Sequence, residues 1–157
     1  MFRNLLVGVD GSPTAQRALS EAIDLALASD ARMTILTAVP PLPPFVAAAA
    51  AVDVGRLERE VEAESAAVLR AAVDRVPDEI PVTHRLARGP AGDAIVAEVD
   101  RGGHDLVVLG SRGRGRMTTF TLGSTGAYVH FHSSVAMLVV HPDPDADADA
   151  IAPSPLA

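Results

Sequence analysis

The chain contains no cysteine, which excludes disulfides, thiol nucleophiles and thiolate metal sites together. It contains no lysine either, since every one of its 13 basic residues is an arginine. That removes the Walker A lysine, the kinase lysine and any Schiff-base chemistry. An anion site in this protein must be built from backbone amides, helix dipoles and guanidinium groups. No apolar run approaches the roughly 18 residues of a membrane span, and the opening MFRNLLVGVD is too short in apolar residues for a signal peptide. No membrane association is expected, and the cytoplasm is the expected location. Positive charge is scarce overall. The formal net charge is −7, and four of the acids, Asp143, Asp145, Asp147 and Asp149, sit near the end of the chain. A nucleic-acid partner, which needs a basic surface, is not expected.

What is present is enough for one domain with a core: 157 residues, 48% of them hydrophobic. Strand and helix signals alternate. Asn4 to Val9 is a continuous apolar run, as in a strand covered on both faces. Ser12 offers an N-cap with Pro13 at the first helical position, and Ala15, Ala18, Leu19, Ala22, Ile23, Ala26 and Leu27 follow at helical spacing. Arg32 to Val39 reads as the second strand, and Val46 to Val52 as a loop or a short helix start. From Asp53 to Val76 the pattern is a long amphipathic helix with Leu57, Val61, Ser65, Val68, Leu69, Ala72 and Val76 inward. Val82 to Ala87 is the third strand, Asp93 to Val99 a short helix closed by Gly102-Gly103, and Asp105 to Leu109 the fourth strand. Thr125 to His132 is helix-like, and Val135 to Val140 is the fifth strand. Residues 143–157 alternate Asp, Ala and Pro, a composition that predicts a disordered tail beyond a domain of residues 1–142.

Short helical crossovers make such strands parallel. The expectation is an α/β fold, a single Rossmann-like, doubly wound sheet of five parallel strands in the order 3-2-1-4-5 with helices on both faces. Such sheets bind ligands beyond the carboxyl ends of the strands, where the winding reverses, here between the first and fourth strands. Asp10 ends one of these strands. The other runs into Gly110 to Ser124 (GSRGRGRMTTFTLGS), a glycine-rich turn leading to a helix, where backbone N–H groups and a helix N-terminus favour phosphate.

NLLVGVDGSP at Asn4 to Pro13, the strand ending at Val39, and Gly110-x-x-Gly113 followed after nine residues by Gly123-Ser124 resemble the nucleotide-binding branch of the universal stress protein family. The likeness runs from about Asn4 to Pro142. It implies a homodimer and a site for ATP, AMP or cyclic AMP. By this resemblance Asp10 meets the ribose hydroxyls or a nucleotide-bound Mg²⁺, Gly8 leaves room for the sugar, and Val39 matches the adenine edge through its backbone. Leu109 and Gly110 underlie the ribose. Ser111, Arg112 and Gly113 line the phosphates, with Gly115 in the same turn, and Gly123, Ser124 and Thr125 donate from the helix N-terminus. Gly113 and Gly123 are expected to be small because backbone approaches ligand there, and to favour positive φ. Arg112, Arg114 and Arg116 either hold a polyphosphate by bidentate contacts or form a solvated charge run, with Arg112 favoured because it lies between the motif glycines.

Other chemistry weighs less. His130 and His132 at i, i+2 point apart on a helix, so with His141 they predict no metal site. His84 and His104 read as surface residues beside strands. Asp10 has a second reading as a cap for the helix near Ser12. Two functions compete: a nucleotide-binding sensor or store in stress response, and a slow ATPase using the same pocket. Hydrolysis wants a fixed cation and a positioned base at the terminal phosphate, and Gly110 to Ser124 contains neither lysine nor acid. Binding is the expected function. The fifth strand, apolar on both sides, is expected to be an edge that pairs with its copy in a homodimer.

Overall fold

The computed structural model describes residues 1–48, 53–111 and 122–142. Ten elements follow in order: β1 (Asn4–Gly8), α1 (Pro13–Ser29), β2 (Arg32–Val39), α2 (Pro44–Ala47), α3 (Val54–Val73), β3 (Val82–Arg88), α4 (Ala91–Gly102), β4 (Leu106–Gly110), α5 (Ser124–His132) and β5 (Ala136–Val140). The strands form one sheet in the order β3-β2-β1-β4-β5. Every pairing is parallel. The expected topology is the observed one.

The central strands are buried on both faces because the helices wind both ways. Leu5, Val7, Met33, Ile35, Leu106 and Val108 meet Ala18, Leu19 and Ala22 of α1 and Leu69 and Ala72 of α3. On the opposite face Leu6, Leu36, Val107 and Leu109 meet Ile95 and Val99 of α4 and Val129 of α5. Each large aliphatic side chain removed from water contributes about 1.5–3 kcal/mol, and this two-sided burial is what holds the switch between β1 and β4 rigid.

Helix ends follow local chemistry. The Ser12 hydroxyl accepts from the Ala15 N–H at 3.2 Å, with Pro13 at the first helical position. Asp30 closes α1 in the left-handed region at φ 51°. On α3, Asp53 accepts from the Arg56 N–H at 2.9 Å. Ser65, Leu69 and Ala72 are its buried residues, and the Ser65 hydroxyl donates to the Val61 carbonyl at 2.9 Å, which explains a polar side chain in the inward stripe. Helix α4 is longer than its apolar pattern suggested: it begins at Ala91, after Pro90, and ends on Gly103 at φ 59°. The region read as loop or helix start is helical over Pro44–Ala47, and residues 49–52 lie outside the described ones. So do residues 143–157 and the expectation of a disordered tail.

Candidate functional site

Strands β1 and β4 are paired through Val7 and Val108, so their carboxyl ends lie side by side at the point where the winding reverses. The chain leaves β1 through Asp10, Gly11 and Ser12. Gly11 adopts φ 82°, a conformation that glycine reaches without strain. The turn lets the Ser12 N–H and Oγ–H both donate to Asp10 Oδ1, at 2.9 and 2.6 Å. Asp10 therefore orients the N-cap of α1 as well as standing at the strand end. Its second reading, as support for the start of the helix, is the one these two hydrogen bonds show. Sequence reasoning gave Gly11 no role, although an Asp-Gly-Ser run is a turn signal.

At the end of β4, Gly110 packs under α1: a Cβ there would stand 2.8 Å from the Thr14 carbonyl carbon and 2.9 Å from the Ala15 nitrogen. Glycine is required by this close approach of helix to strand. Gly8 is small for a softer reason, since its Cβ would meet the Leu109 Cδ2 at 2.6 Å. These contacts bring Gly8, Asp10, Leu109 and Gly110 together at one end of the sheet. Val39 ends β2 on the same side; its carbonyl accepts from the Gly89 N–H at 3.0 Å, which leaves a second lone pair.

Ser111 is the junction. Its N–H donates to the Val140 carbonyl at 2.8 Å, and its own carbonyl accepts from the Gly123 N–H at 3.0 Å. The two ends of the glycine-rich segment are thus held together, and the N-terminus of α5 sits at the end of β4. Gly123 has φ −57°, which corrects the expectation of a positive φ at this position. Its smallness answers instead to the Ser111 carbonyl, which an added Cβ would approach to 3.0 Å. Among the described residues no side chain caps α5, so its first-turn amides, those of Ser124 and Thr125 included, retain their capacity to bind an anion. The Ser111 hydroxyl is buried, the residue being 2% exposed, and has no hydrogen-bond partner among the described residues. Arg112, Gly113, Arg114, Gly115 and Arg116 lie outside the described residues.

A second correction concerns His104, expected at the surface. It lies at the junction of α4 and β4 with its side chain 2% exposed, 3.7 Å from Glu98, packed against Gly102. Burial lowers its pKa below the ordinary histidine value, the Glu98 carboxylate opposing and the Arg32 charge adding to the shift. Glu98 is itself held by Arg101 at 2.7 Å. No periodic signal marks His104, because what buries it is the glycine turn after α4. His84 is exposed, as expected.

A five-stranded parallel sheet in this order, with a glycine-bearing turn and an uncapped helix N-terminus at its switch point, is a Rossmann-like α/β framework suited to an anionic ligand. The chain belongs to the universal stress protein family, whose model matches residues 1–141. A universal stress protein of Thermus aquaticus is 30% identical over 142 residues, spanning 89% of this chain and 99% of that protein. Among solved structures, a universal stress protein in complex with cAMP is 30% identical with a TM-score of 0.64, over 89% of this chain and 97% of that one. An Arabidopsis thaliana member with AMP bound is 19% identical with a TM-score of 0.67, over 92% and 94% of the two chains. That likeness is one of fold. Among the described residues, no helix is long and apolar enough to cross a membrane.

Proposed function

We propose that this chain binds an adenine nucleotide, ATP, AMP or cyclic AMP, in the crevice between the ends of β1 and β4, and acts as a sensor or store in stress response. The observation that carries this reading is Ser111: a buried hydroxyl without a partner among the described residues, joined through its carbonyl to Gly123 at the uncapped N-terminus of α5. A buried hydroxyl left unpaired costs about 1–3 kcal/mol, and a phosphate oxygen placed before α5 satisfies it. The cAMP complex of a relative at 30% identity supports the choice of an adenine nucleotide.

In this reading Ser111, Gly123, Ser124 and Thr125 hold the phosphates together with Gly113 and Gly115, and Arg112, Arg114 and Arg116 neutralise them. Gly8, Asp10, Leu109 and Gly110 frame the ribose, and Val39 meets the adenine edge. In the same reading Asp10 meets the ribose hydroxyls or a Mg²⁺ that arrives with the nucleotide. Binding is favoured over hydrolysis because a cradle of amides and arginines stabilises ground state and transition state alike. The active form is a homodimer through the free edge of β5, and occupancy alters affinity for a downstream protein.

Mass spectrometry of the ligand released from freshly purified protein tests this reading without assuming a substrate. An adenine nucleotide is expected. A different retained ligand overturns it, and rapid phosphate release from ATP overturns the choice of binder over enzyme.

A further inference from the structure

Among the described residues no side chain caps the start of α5. Its N-cap residue is Gly123, which has no side chain to accept from the first-turn amides, and no acidic residue stands in that turn. Caps are ordinarily aspartate, asparagine, serine or threonine, because a short side-chain oxygen reaches those N–H groups, and an acid also meets the positive end of the helix dipole. A second group lies under the same turn. Leu109 packs on the face that α4 and α5 cover, and alternation along the chain carries Ser111, two residues on, to that face. Its hydroxyl is buried and unpartnered among the described residues. Amides and hydroxyl together suit an acceptor of carboxylate or phosphate size.

Ser111 also fixes where the acidic segment of the chain starts. Its N–H donates to the Val140 carbonyl at 2.8 Å and its carbonyl accepts from the Gly123 N–H at 3.0 Å, so the last residue of β5 and the N-cap residue of α5 flank one residue. Beyond Val140 come His141 and Pro142, then DPDADADA from Asp143 to Ala150. Asp143, the first acid, stands three residues past Val140 and Asp149, the last, nine. Such lengths span at most about 10 Å and about 30 Å. The gap to be bridged is one residue and two hydrogen bonds wide, so the chain is long enough to bring Asp145, Asp147 or Asp149 back over the first turn of α5.

The segment has the matching chemistry. From Asp143 to Ala150 it carries four acids and no basic residue, and its alternation of Asp with Ala and Pro offers no apolar stripe for packing on the sheet. Tethered this closely, each carboxylate is present at the helix end at an effective concentration in the millimolar range, at which even a weak contact is populated. Four similar acids multiply the ways of making it. A carboxylate accepts from amides and hydroxyls as a phosphate oxygen does, so the two compete for one place.

We propose that an aspartate of the segment Asp143 to Asp149 caps α5 from elsewhere in the chain and occupies the anion end of the crevice, which makes the segment an internal competitor of the nucleotide. It sets the nucleotide concentration at which the site fills, since apparent affinity is lowered by the fraction of chains whose site is taken. The competition rests on the reading of this end of the crevice as the phosphate site; the docking of the segment does not depend on which anion the crevice binds.

The test compares the full chain, freed of nucleotide, with a full chain carrying Asp143→Gln, Asp145→Gln, Asp147→Gln and Asp149→Gln, which lose the charge and the short acceptor together. In nuclear magnetic resonance spectra the Ser124 and Thr125 amides should shift between the two proteins, and added salt should move the native amides towards their positions in the variant. Whichever of ATP, AMP and cyclic AMP binds should bind the variant about threefold more tightly, or better. Unshifted amides overturn the docking even if affinity rises, because removing four negative charges favours any anion by general repulsion alone. Shifted amides with equal nucleotide affinity in the two proteins overturn the competition. Absence of nucleotide binding in both overturns the nucleotide reading and the competition with it, while the amide shifts still decide whether the segment docks.

Discussion

The Gly123 N–H donates to the Ser111 carbonyl at 3.0 Å, so the residue just after β4 and the N-cap residue of α5 are one hydrogen bond apart although eleven residues separate them in the chain. This bond sets where the α5 dipole points. The Ser111 hydroxyl is the buried donor beside it, and in the proposed site the two features form the anion end of the crevice.

Ser111→Ala separates stability from function. In the free protein the substitution removes an unpartnered buried hydroxyl, so the melting temperature should hold or rise. Nucleotide affinity should fall by about 1–3 kcal/mol, the range for a buried hydrogen bond left unmade. Thermal melts with and without nucleotide read both quantities. Equal loss in each would show that the hydroxyl is structural.

Gly110→Ala and Gly8→Ala should differ sharply. At Gly110 the added methyl meets Thr14 and Ala15 backbone, which cannot swing aside, whereas at Gly8 it meets the flexible tip of Leu109. Overpacking of the first kind costs about 1–3 kcal/mol, and it should displace the N-terminus of α1 and with it Asp10. Urea unfolding of the two variants should place Gly110→Ala below Gly8→Ala; the reverse order would contradict the packing described at the switch point.

Ser12→Ala removes the N-cap of α1 and the hydroxyl bound to Asp10 Oδ1. A stability loss of about 0.5–2 kcal/mol is expected, together with weaker nucleotide binding because Asp10 loses an orienting partner. Asp10→Asn keeps the capping geometry but not the charge. Binding that depends on Mg²⁺ in the native protein and not in Asp10→Asn would place the ion at Asp10; identical Mg²⁺ dependence in both would remove it.

Met137→Pro tests the dimer without attacking the fold. The Met137 N–H faces the free edge of β5, so proline deletes a bond that only a second copy can accept and leaves the ladder to β4 in place. Light scattering should report monomer where the unmodified chain gives dimer. A dimer of unchanged affinity would exclude pairing through β5.

Much of this architecture was legible in the sequence because the strands are short apolar runs and the helices carry clean punctuation. Ser12-Pro13 announced α1, and Arg32 to Val39 has the bounds of β2. The parallel pairing followed from crossover rules, and the order 3-2-1-4-5, taken as the doubly wound expectation, is the observed one. What local pattern could not reveal was proximity. Gly110 read as a ligand-contacting glycine, yet in the free chain its size is dictated by Thr14 and Ala15, nearly a hundred residues earlier in the sequence. His104 read as exposed because its burial depends on Gly102 and on Glu98, a turn back along α4. Gly123 was expected to need positive φ and has φ −57°, because the constraint there is the Ser111 carbonyl and not the turn itself.

Calorimetric titration of the native chain and of Gly123→Val with ATP, AMP and cyclic AMP tests the central claim most directly. Valine at Gly123 would drive side-chain atoms against the Ser111 carbonyl, which even a Cβ would approach to 3.0 Å, and would push the α5 N-terminus off the crevice. The account predicts one bound adenine nucleotide per native chain and none for Gly123→Val, with far-ultraviolet circular dichroism showing that the sheet still folds. Equal affinity in the two proteins, or no heat from any of the three nucleotides with the native chain, would contradict it.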